Sequence, residues 1–273
     1  MGAMKILVRA VLVAGFPLMA AGSWAQETPA SAGAATVTPA PPPAVAPAPA
    51  PVDTAKQIAT METKLADWPA LGRYRTDNTA LAPVAAGEQR VVFFGDSITD
   101  GWGRRPNTGT FFTGKPYVNR GISGQTTPQM VVRFRQDVID LHPAAVVILA
   151  GTNDIAGNTG PMTPQMTEDN FKSMIDLAKA NGIRVIVSSI TPVADYPWRK
   201  GLEPAGKIRT LNAWLQGYCV NHSVTYLDYY TAMADEAGGM KPGISFDGVH
   251  PNGQGYAIME PLAQAAIDKT LGK

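Results

Sequence analysis

Two short segments carry the side chains best suited to nucleophilic catalysis. Ser97 follows Gly95 and Asp96, and His250 lies three residues after Asp247. An acid at that spacing in a turn can hydrogen-bond the imidazole and fix its tautomer, which leaves the other ring nitrogen free to accept a proton from a serine. A serine hydroxyl is a poor nucleophile until a base removes its proton. The pairing indicates serine chemistry, although Ser97 taken alone is more typical of a helix cap.

Two other segments offer hydrogen-bond donors. The first runs from Gly121 to Gly124, and its glycines allow a backbone N–H to approach a ligand closely, as they would in any tight turn. The second contains Asn153, whose side-chain amide is a donor, followed by Asp154, which we expect to brace the loop. A lone Asn in a turn is usually structural. Each of these signals is weak, and their joint occurrence is informative.

All of these residues follow segments that are predicted to be strands. Short β-branched or aromatic runs alternate with longer amphipathic patterns, which predicts a parallel sheet covered by helices on both faces. The predicted strands are Arg90–Phe94, Tyr117–Asn119, Ala145–Leu149, Arg184–Ser188 and Val224–Leu227. The predicted helices are Thr127–Leu141, Thr167–Asn181, Lys207–Asn221 and Gly253–Leu271, with Thr167 as a cap. Ligands of such sheets bind at the carboxyl ends of the strands, where the candidate residues lie.

The regions before the first strand differ in composition from the rest of the chain. Residues 1–25 have a basic start, an apolar run and a small-x-small cleavage pattern, which predicts an export signal. The apolar run is too short to span a membrane. Residues 26–53 are rich in Pro and Ala and are expected to form a disordered linker. Residues 54–273 form the predicted catalytic domain.

Charge and cysteine content exclude several classes of function. The formal net charge of the 273 residues is +1, so no global electrostatic attraction to nucleic acid or to anionic membranes is expected. One cysteine, Cys219, excludes an internal disulfide framework and a cysteine-based zinc site, and its helical surroundings indicate a buried thiol.

The combination of motifs resembles the SGNH hydrolases, also called GDSL-type esterases and lipases. The matching blocks occur in the family's order and are Gly95-Asp96-Ser97, Gly124, Gly151-Thr152-Asn153-Asp154 and Asp247-x-x-His250. The first motif normally continues with Leu, where this chain has Ile98, a change of one branched aliphatic residue for another. The resemblance covers most of residues 90–270 and implies a three-layer α/β/α sandwich with a five-stranded parallel sheet, the flavodoxin-like SGNH hydrolase fold.

The resemblance also implies a role for each matching residue. Ser97 is the implied nucleophile, His250 its general base, and Asp247 the residue that orients His250. The implied oxyanion hole consists of the backbone N–H groups of Ser97 and Gly124 and the side-chain amide of Asn153. The expected reaction is ester hydrolysis through an acyl-enzyme, without a metal ion or an organic cofactor. Because the base must be neutral, activity is expected to fall as the pH drops through roughly 6–7.

The substrate is less well defined than the chemistry. Aromatic and basic residues in loops after the strands could contact it by stacking on a sugar or by lining a short acyl pocket. The candidates are Trp102, Tyr196, Trp198 and Arg199, with Phe111 and Phe112 near the first of them. Ordinary packing is an equally good interpretation of each. We favour short acyl groups such as acetyl, on a carbohydrate or small alcohol, and a periplasmic or secreted location.

Several other functions are compatible with parts of the pattern. A lysophospholipase or thioesterase would use the same residues on a different acyl substrate. A metal-dependent phosphoesterase would need several His or carboxylate ligands, whereas His142 and His222 are predicted to lie away from His250. A non-catalytic glycan-binding module would not need candidates for every catalytic role. We expect no nucleic-acid partner and no stable membrane insertion once the signal is cleaved.

Overall fold

A computed structural model describes residues 54–273, so the predicted export signal (1–25) and linker (26–53) lie outside the described residues. The strands are Val91–Gly95 (β1), Tyr117–Gly121 (β2), Ala145–Leu149 (β3), Arg184–Ser188 (β4) and Thr225–Leu227 (β5). They form one parallel sheet in the order β2-β1-β3-β4-β5. This strand order is that of the flavodoxin-like doubly wound sheet, so the predicted fold class is confirmed.

Helices cover both faces of the sheet. They are Thr54–Ala66 (α1), Arg75–Ala80 (α2), Ser97–Gly101 (α3), Thr127–Asp137 (α4), Thr152–Ile155 (α5), Pro164–Ala180 (α6), Pro204–Asn221 (α7), Tyr230–Met233 (α8) and Gly253–Leu271 (α9). Val92 and Phe94 of β1 pack in the same cluster as residues of α4, α6 and α7. Val91 and Phe93 face the other way, toward residues of α9. Burial on both faces explains the uninterrupted apolar runs of these strands.

Three predicted helix boundaries are wrong. The predicted start at Lys207 is three residues late, because Pro204 occupies the first turn of α7. The predicted start at Thr167 is one turn late, because Pro164 occupies the first helical turn and the Thr163 hydroxyl accepts a hydrogen bond from the Met166 N–H. The predicted end of α4 at Leu141 is also wrong, since the helix ends at Asp137 and a short 3-10 turn, Ile139–Leu141, follows. The break at Val138 lets the chain turn back into the core.

The predicted burial of Cys219 is confirmed. Cys219 is a buried free thiol, and burial raises its pKa to about 12. None of the helices formed by residues 54–273 combines the length and the apolar run needed to cross a bilayer.

A buried arginine joins the carboxyl ends of β1 and β2 to α4. Arg133 has no exposed surface, and its guanidinium lies 4.0 Å from the ring centre of Phe94. Its N–H groups donate to four acceptors: the carbonyls of Gly95 (2.9 Å) and Arg120 (2.8 Å), Oε1 of Gln125 (2.5 Å) and Oδ2 of Asp137 (3.1 Å). Burial lowers the pKa of Arg133 to about 10, against the opposing effect of the Asp137 carboxylate. The guanidinium therefore remains charged at neutral pH.

Replacing Arg133 with Met should lower the free energy of unfolding by about 3–5 kcal/mol, because the Asp137 carboxylate would remain buried without its cation. Urea denaturation followed by circular dichroism measures this change. Arg135→Met is the matched control on the same helix, since the Arg135–Asp140 ion pair is exposed and long, at 3.9 Å. Similar losses in the two variants would contradict a central role for Arg133.

Candidate active site

Ser97 is the first residue of α3, immediately after β1. The N-cap of that helix is Asp96, whose Oδ1 accepts a hydrogen bond from the Ile98 N–H at 2.9 Å. The capping interpretation of Ser97 is therefore wrong. Gly95 is required at the strand exit, because a Cβ there would lie 2.2 Å from Oγ1 of Thr99 and 2.7 Å from the Leu149 carbonyl. The turn places the Ser97 hydroxyl at the carboxyl edge of the sheet.

The Ser97 hydroxyl is hydrogen-bonded to His250, and His250 to Asp247. Ser97 Oγ lies 3.0 Å from Nε2 of His250, and Nδ1 of the same ring lies 2.8 Å from Oδ2 of Asp247. With Nδ1–H donating to the carboxylate, Nε2 has a lone pair available for the serine proton. The structure thus brings together three residues that are 153 positions apart at the widest.

Asp247 is held by the backbone of its own turn. Its Oδ1 accepts the N–H groups of Val249 (3.0 Å) and His250 (2.8 Å). Burial by itself would raise the pKa of Asp247, but these hydrogen bonds and the one from the His250 ring hold the pKa below its usual range. Asp247 is therefore ionised at neutral pH and can stabilise a positive charge on the imidazole.

The donors predicted around Ser97 lie just after the two neighbouring strands. Gly95 is in register with Gly121 of β2 and with Leu149 of β3, so the loops after these three strands share one edge. Gly124 has a φ of 80°, a left-handed conformation that favours glycine. Asn153 lies in α5, and its Nδ2 donates to the Gln125 carbonyl at 2.9 Å. This contact fixes Asn153 against the segment that contains Gly124.

Asp154 braces the site, as predicted. Its carboxylate accepts the backbone N–H of Thr127 at 3.1 Å and hydrogen bonds from the hydroxyls of Thr127 (2.5 Å) and Thr167 (3.4 Å). Burial raises the pKa of Asp154, although the hydrogen bonds from Thr127 act in the opposite direction. The residue connects the loop after β3 to the starts of α4 and α6.

Three of the four predicted substrate contacts have other partners in the fold: Trp102 and Tyr196 are buried, whereas Arg199 is exposed and binds backbone carbonyls. Trp102 is only 2% exposed and stacks on Tyr256 with ring centres 4.9 Å apart, because the chain after α3 returns to the core. Tyr196 is fully buried, and its hydroxyl donates to the Thr152 carbonyl at 2.9 Å. Arg199 donates to the carbonyls of Ala156 and Gly157 and so holds the turn after α5.

Trp198 is the predicted contact that does lie at the site. Its side chain is 45% exposed, and its ring centre is 6.0 Å from that of His250. The indole packs on Tyr196 at 5.1 Å, and its Nε1–H donates to Oδ1 of Asn158 at 3.2 Å. Phe112, predicted near Trp102, is buried and packs on Phe93 and Trp102. Trp198 therefore presents a fixed aromatic face beside the histidine.

The remaining histidines lie elsewhere. His142 follows the 3-10 turn in a left-handed conformation, and His222 stacks on Tyr218 at the end of α7. Within residues 54–273, no group of three or more His, Cys, Asp or Glu side chains is arranged to hold a metal ion.

Sequence reasoning assigned no role to Arg133, Gln125 or Asn158. Gln125 follows Gly124 directly and accepts the Asn153 amide, and Asn158 donates from its Nδ2 to Oδ1 of Asn153 at 2.8 Å. A signal for Asn158 was available in the Gly157-Asn158-Thr159-Gly160 turn, since glycines on both sides of an Asn are typical of a tight, fixed loop. The buried charge of Arg133 carries no comparable signal.

Known proteins with similar sequences and structures share this architecture. The sequence model of the GDSL-like lipase/acylhydrolase family matches residues 93–258. A GDSL-like lipase from Bacteroides thetaiotaomicron VPI-5482 is 47% identical, with 74% of this chain and 98% of that chain covered and a TM-score of 0.70. A protein from Bacteroides fragilis NCTC 9343 is 45% identical, with 75% and 98% covered and a TM-score of 0.71.

Two other known proteins are less similar to this chain. An acetylxylan esterase from Geobacillus stearothermophilus is 21% identical, with 68% of this chain and 96% of that chain covered and a TM-score of 0.54, which is a likeness of fold. The uncharacterized lipoprotein YqeF from Bacillus subtilis (strain 168) is 32% identical over 124 residues, 40% of this chain. The chain spans about half the length of that relative, at 51%.

Asp96→Asn should flatten the dependence of stability on pH. Burial raises the pKa of Asp96 to about 7, and its Oδ2 has no hydrogen-bond partner within residues 54–273. The unfolded chain ionises Asp96 near pH 4 and the folded chain near pH 7, so the contribution of Asp96 to stability is complete below pH 4 and is lost as the pH rises to 7. The loss amounts to about 4 kcal/mol.

Urea denaturation of both proteins at several pH values between 4 and 8 tests this. Asn keeps the oxygen that accepts the Ile98 N–H, and any cost of its buried amide is the same at every pH. The stability of Asp96→Asn relative to the unsubstituted protein should therefore rise with pH. Parallel stability curves would show that Asp96 ionises normally in the folded chain.

Proposed function

The chain belongs to the GDSL-like lipase/acylhydrolase family, and on that premise we propose that it is a serine esterase that hydrolyses carboxylic esters through an acyl-enzyme. The observation that carries the proposal is the hydrogen-bonded series Ser97–His250–Asp247, with distances of 3.0 and 2.8 Å, at the carboxyl edge of the sheet. A neutral imidazole in contact with a serine hydroxyl is the arrangement that activates serine as a nucleophile.

In the first half of the proposed reaction, Ser97 Oγ attacks the ester carbonyl while its proton passes to Nε2 of His250. The imidazolium is stabilised by the Asp247 carboxylate, whose lowered pKa keeps it charged. His250 then donates the proton to the leaving alcohol oxygen as the carbon–oxygen bond breaks. The products of this half are the free alcohol and an acyl group esterified to Ser97.

In the second half, water takes the place of the alcohol. His250 accepts a proton from water as its oxygen attacks the acyl carbonyl, and then returns that proton to Oγ of Ser97 when the acyl–serine bond breaks. The carboxylic acid leaves and the enzyme is restored. The cycle uses side chains of this chain and water, and we propose that it needs no metal ion or organic cofactor.

Both tetrahedral intermediates carry negative charge on the former carbonyl oxygen. We assign its stabilisation to the N–H groups of Ser97 and Gly124 and the side-chain amide of Asn153. Ser97 begins a helix, where backbone N–H groups lack intrahelical acceptors, and Asn153 is hydrogen-bonded to the residue after Gly124. Donors that are fixed before the charge develops are worth roughly 10²–10³ each in rate.

The proposed substrate is a short-chain ester, acetyl above all, of a carbohydrate or small alcohol. Ser97 is only 6% exposed, and the loops beside it are cross-linked by the hydrogen bonds of Asn153 and Asp154, an arrangement that suits a small acyl group. Since His250 protonates the alcohol, the alcohol portion lies on the His250 side, near the exposed face of Trp198. Aromatic faces of this kind stack on sugar rings. A lysophospholipase or thioesterase activity is the alternative within the same chemistry.

We further propose that the chain is exported, to the periplasm or beyond. Residues 1–25 have the sequence pattern of an export signal and residues 26–53 that of a linker to the catalytic domain at 54–273. The lipoprotein name of the Bacillus subtilis relative is in keeping with export. The near-neutral net charge favours an uncharged or weakly charged ester over nucleic acid as the partner.

Ser97→Ala should reduce the hydrolysis of a small activated acetate by at least three orders of magnitude, because no other group can form the acyl-enzyme. Initial rates and labelling by a fluorophosphonate probe measure the effect. His222→Ala is the control, since His222 stacks on Tyr218 away from the site, and it should keep full activity. Retention of more than about a tenth of the activity by Ser97→Ala would exclude the serine mechanism, and failure of the unsubstituted protein to be labelled would favour a glycan-binding module.

Trp198→Ala should have a KM for acetylated xylo-oligosaccharides about tenfold higher than that of Trp198→Phe, because Phe keeps an aromatic face for the sugar. The KM for ethyl acetate, which has no sugar, should be similar in the two variants. Val220→Ala, an exposed apolar residue near the end of α7, is the control. Within a series of esters of one alcohol, acetyl should react faster than dodecanoyl. Equal KM changes on both substrates would remove Trp198 from sugar binding, and faster dodecanoyl turnover would favour the lysophospholipase alternative.

A further inference from the structure

Asn158 lies between the exposed tryptophan and the amide of Asn153. Its Nδ2 donates to Oδ1 of Asn153 at 2.8 Å and, more weakly, to the Gly124 carbonyl at 3.4 Å. Its Oδ1 accepts the indole N–H of Trp198 at 3.2 Å. One side chain therefore contacts the Asn153 amide, which we assign to the oxyanion hole, and the carbonyl of Gly124, whose N–H we assign to it.

These hydrogen bonds form a series from the Trp198 indole to the Gln125 carbonyl, and the groups at its two ends determine the direction of each bond. The indole N–H of Trp198 can only donate, so the atom of Asn158 that faces it is the oxygen. The Asn158 nitrogen then faces Asn153, and it requires the Asn153 oxygen as its acceptor. At the other end, the Gln125 carbonyl can only accept, so it requires the Asn153 nitrogen. Both ends impose the same orientation on the Asn153 amide.

That orientation is the one an oxyanion needs. The Asn153 amide has two N–H bonds, of which one is directed at the Gln125 carbonyl and the other is available to a ligand. A flipped amide would present its oxygen to the developing negative charge. Gln125 holds the nitrogen end of Asn153 and Asn158 holds the oxygen end, so the amide is restrained on both sides.

The backbone around Asn158 is itself restrained. The Asn158 N–H donates to the Asn153 carbonyl at 3.0 Å, and Arg199 binds the carbonyls of the two residues before Asn158. Gly157 has a φ of 67°, and a Cβ there would lie 2.6 Å from Nη1 of Arg199. Trp198 and Arg199 thus fix, respectively, the side chain of Asn158 and the turn that carries it.

We infer that Asn158 is a positioning residue that orients the Asn153 amide for oxyanion binding, and that the indole N–H of Trp198 sets the orientation of Asn158. This inference rests on the proposed function, because it gives Asn153 a role in the transition state. Asn158 itself does not contact the reacting atoms. Its effect should fall on kcat, since charge on the carbonyl oxygen develops after the substrate has bound.

Asn158→Asp is the sharpest test because Asp has the same shape as Asn and differs only in having an oxygen in place of the amide nitrogen. The carboxylate can still accept the Trp198 N–H but cannot donate to Asn153, and repulsion between oxygens favours the flipped Asn153 amide. We expect kcat for a small acetate to fall about 10²-fold with KM changed less than about twofold. Trp198→Phe, which lacks the donor but keeps the ring, should lower kcat in the same direction by a smaller factor.

Asn181→Asp, at the exposed end of α6, makes the same change of charge away from the site and should leave kcat unchanged. A double-mutant cycle with Asn153→Ala separates positioning from general damage to the fold. In the Asn153→Ala background, Asn158→Asp should cost less than about threefold in kcat. The full 10²-fold loss in that background, or an unchanged kcat in Asn158→Asp alone, would overturn the inference.

The proposed esterase activity and the positioning role of Asn158 are tested by different variants. Unimpaired hydrolysis by Ser97→Ala would overturn the proposed function itself. Inactive Ser97→Ala combined with fully active Asn158→Asp would retain the serine esterase and reject the positioning role. The melting temperature of each variant shows whether it folds. If Asn158→Asp does not fold, the kcat of Trp198→Phe tests the positioning role in its place.

Discussion

The buried guanidinium of Arg133 is the interaction on which the arrangement of the candidate site depends. It binds the carbonyl of Gly95, two residues before Ser97, and the carbonyl of Arg120, at the end of β2. It also binds the side chain of Gln125, whose backbone carbonyl in turn accepts the Asn153 amide. The ends of β1 and β2 therefore share one buried cation, and the loop after β3 is joined to them through Asn153 and Gln125. A shift of β1 relative to β2 at these ends would break hydrogen bonds to a charge that has no access to water.

Burying a charge is costly unless it is paired and its hydrogen-bonding groups are satisfied. Asp137, one turn later on α4, supplies the counter-charge, and the face of Phe94 covers the guanidinium plane. The planar fork of Arg suits this position, because it reaches acceptors in several directions at once, whereas the ammonium of Lys is a compact point charge. The result is a rigid edge of the sheet, and fixed dipoles stabilise a developing negative charge better than dipoles that must reorient.

The fold and the contact between Asp247 and His250 could be predicted from sequence because each has a local cause, whereas the role of Ser97 is implied by the family resemblance. Strands buried on both faces have continuous apolar runs, as in β1 and β3, and the acid three residues before His250 suffices to orient its ring. The contacts of Trp102, Tyr196 and Arg199 have no such local cause. Their residue types suit a binding surface, but whether a loop side chain turns inward is decided by distant partners, such as Tyr256 for Trp102. The role of Asn158 likewise depends on an indole 40 positions later in the chain.

The hydrogen-bonded series from Trp198 to Arg133 explains why these distant contacts matter at the site. It begins at an exposed indole, passes through Asn158 and Asn153 to Gln125, and ends at the buried guanidinium. Because its first group can only donate and the Gln125 carbonyl can only accept, no amide between them can reverse without breaking at least one hydrogen bond. Asn153 lies in the middle of the series and is restrained from the solvent side and from the core. The orientation of one amide donor is thereby determined by residues on three loops and on α4, so its precision is a property of the folded edge of the sheet as a whole.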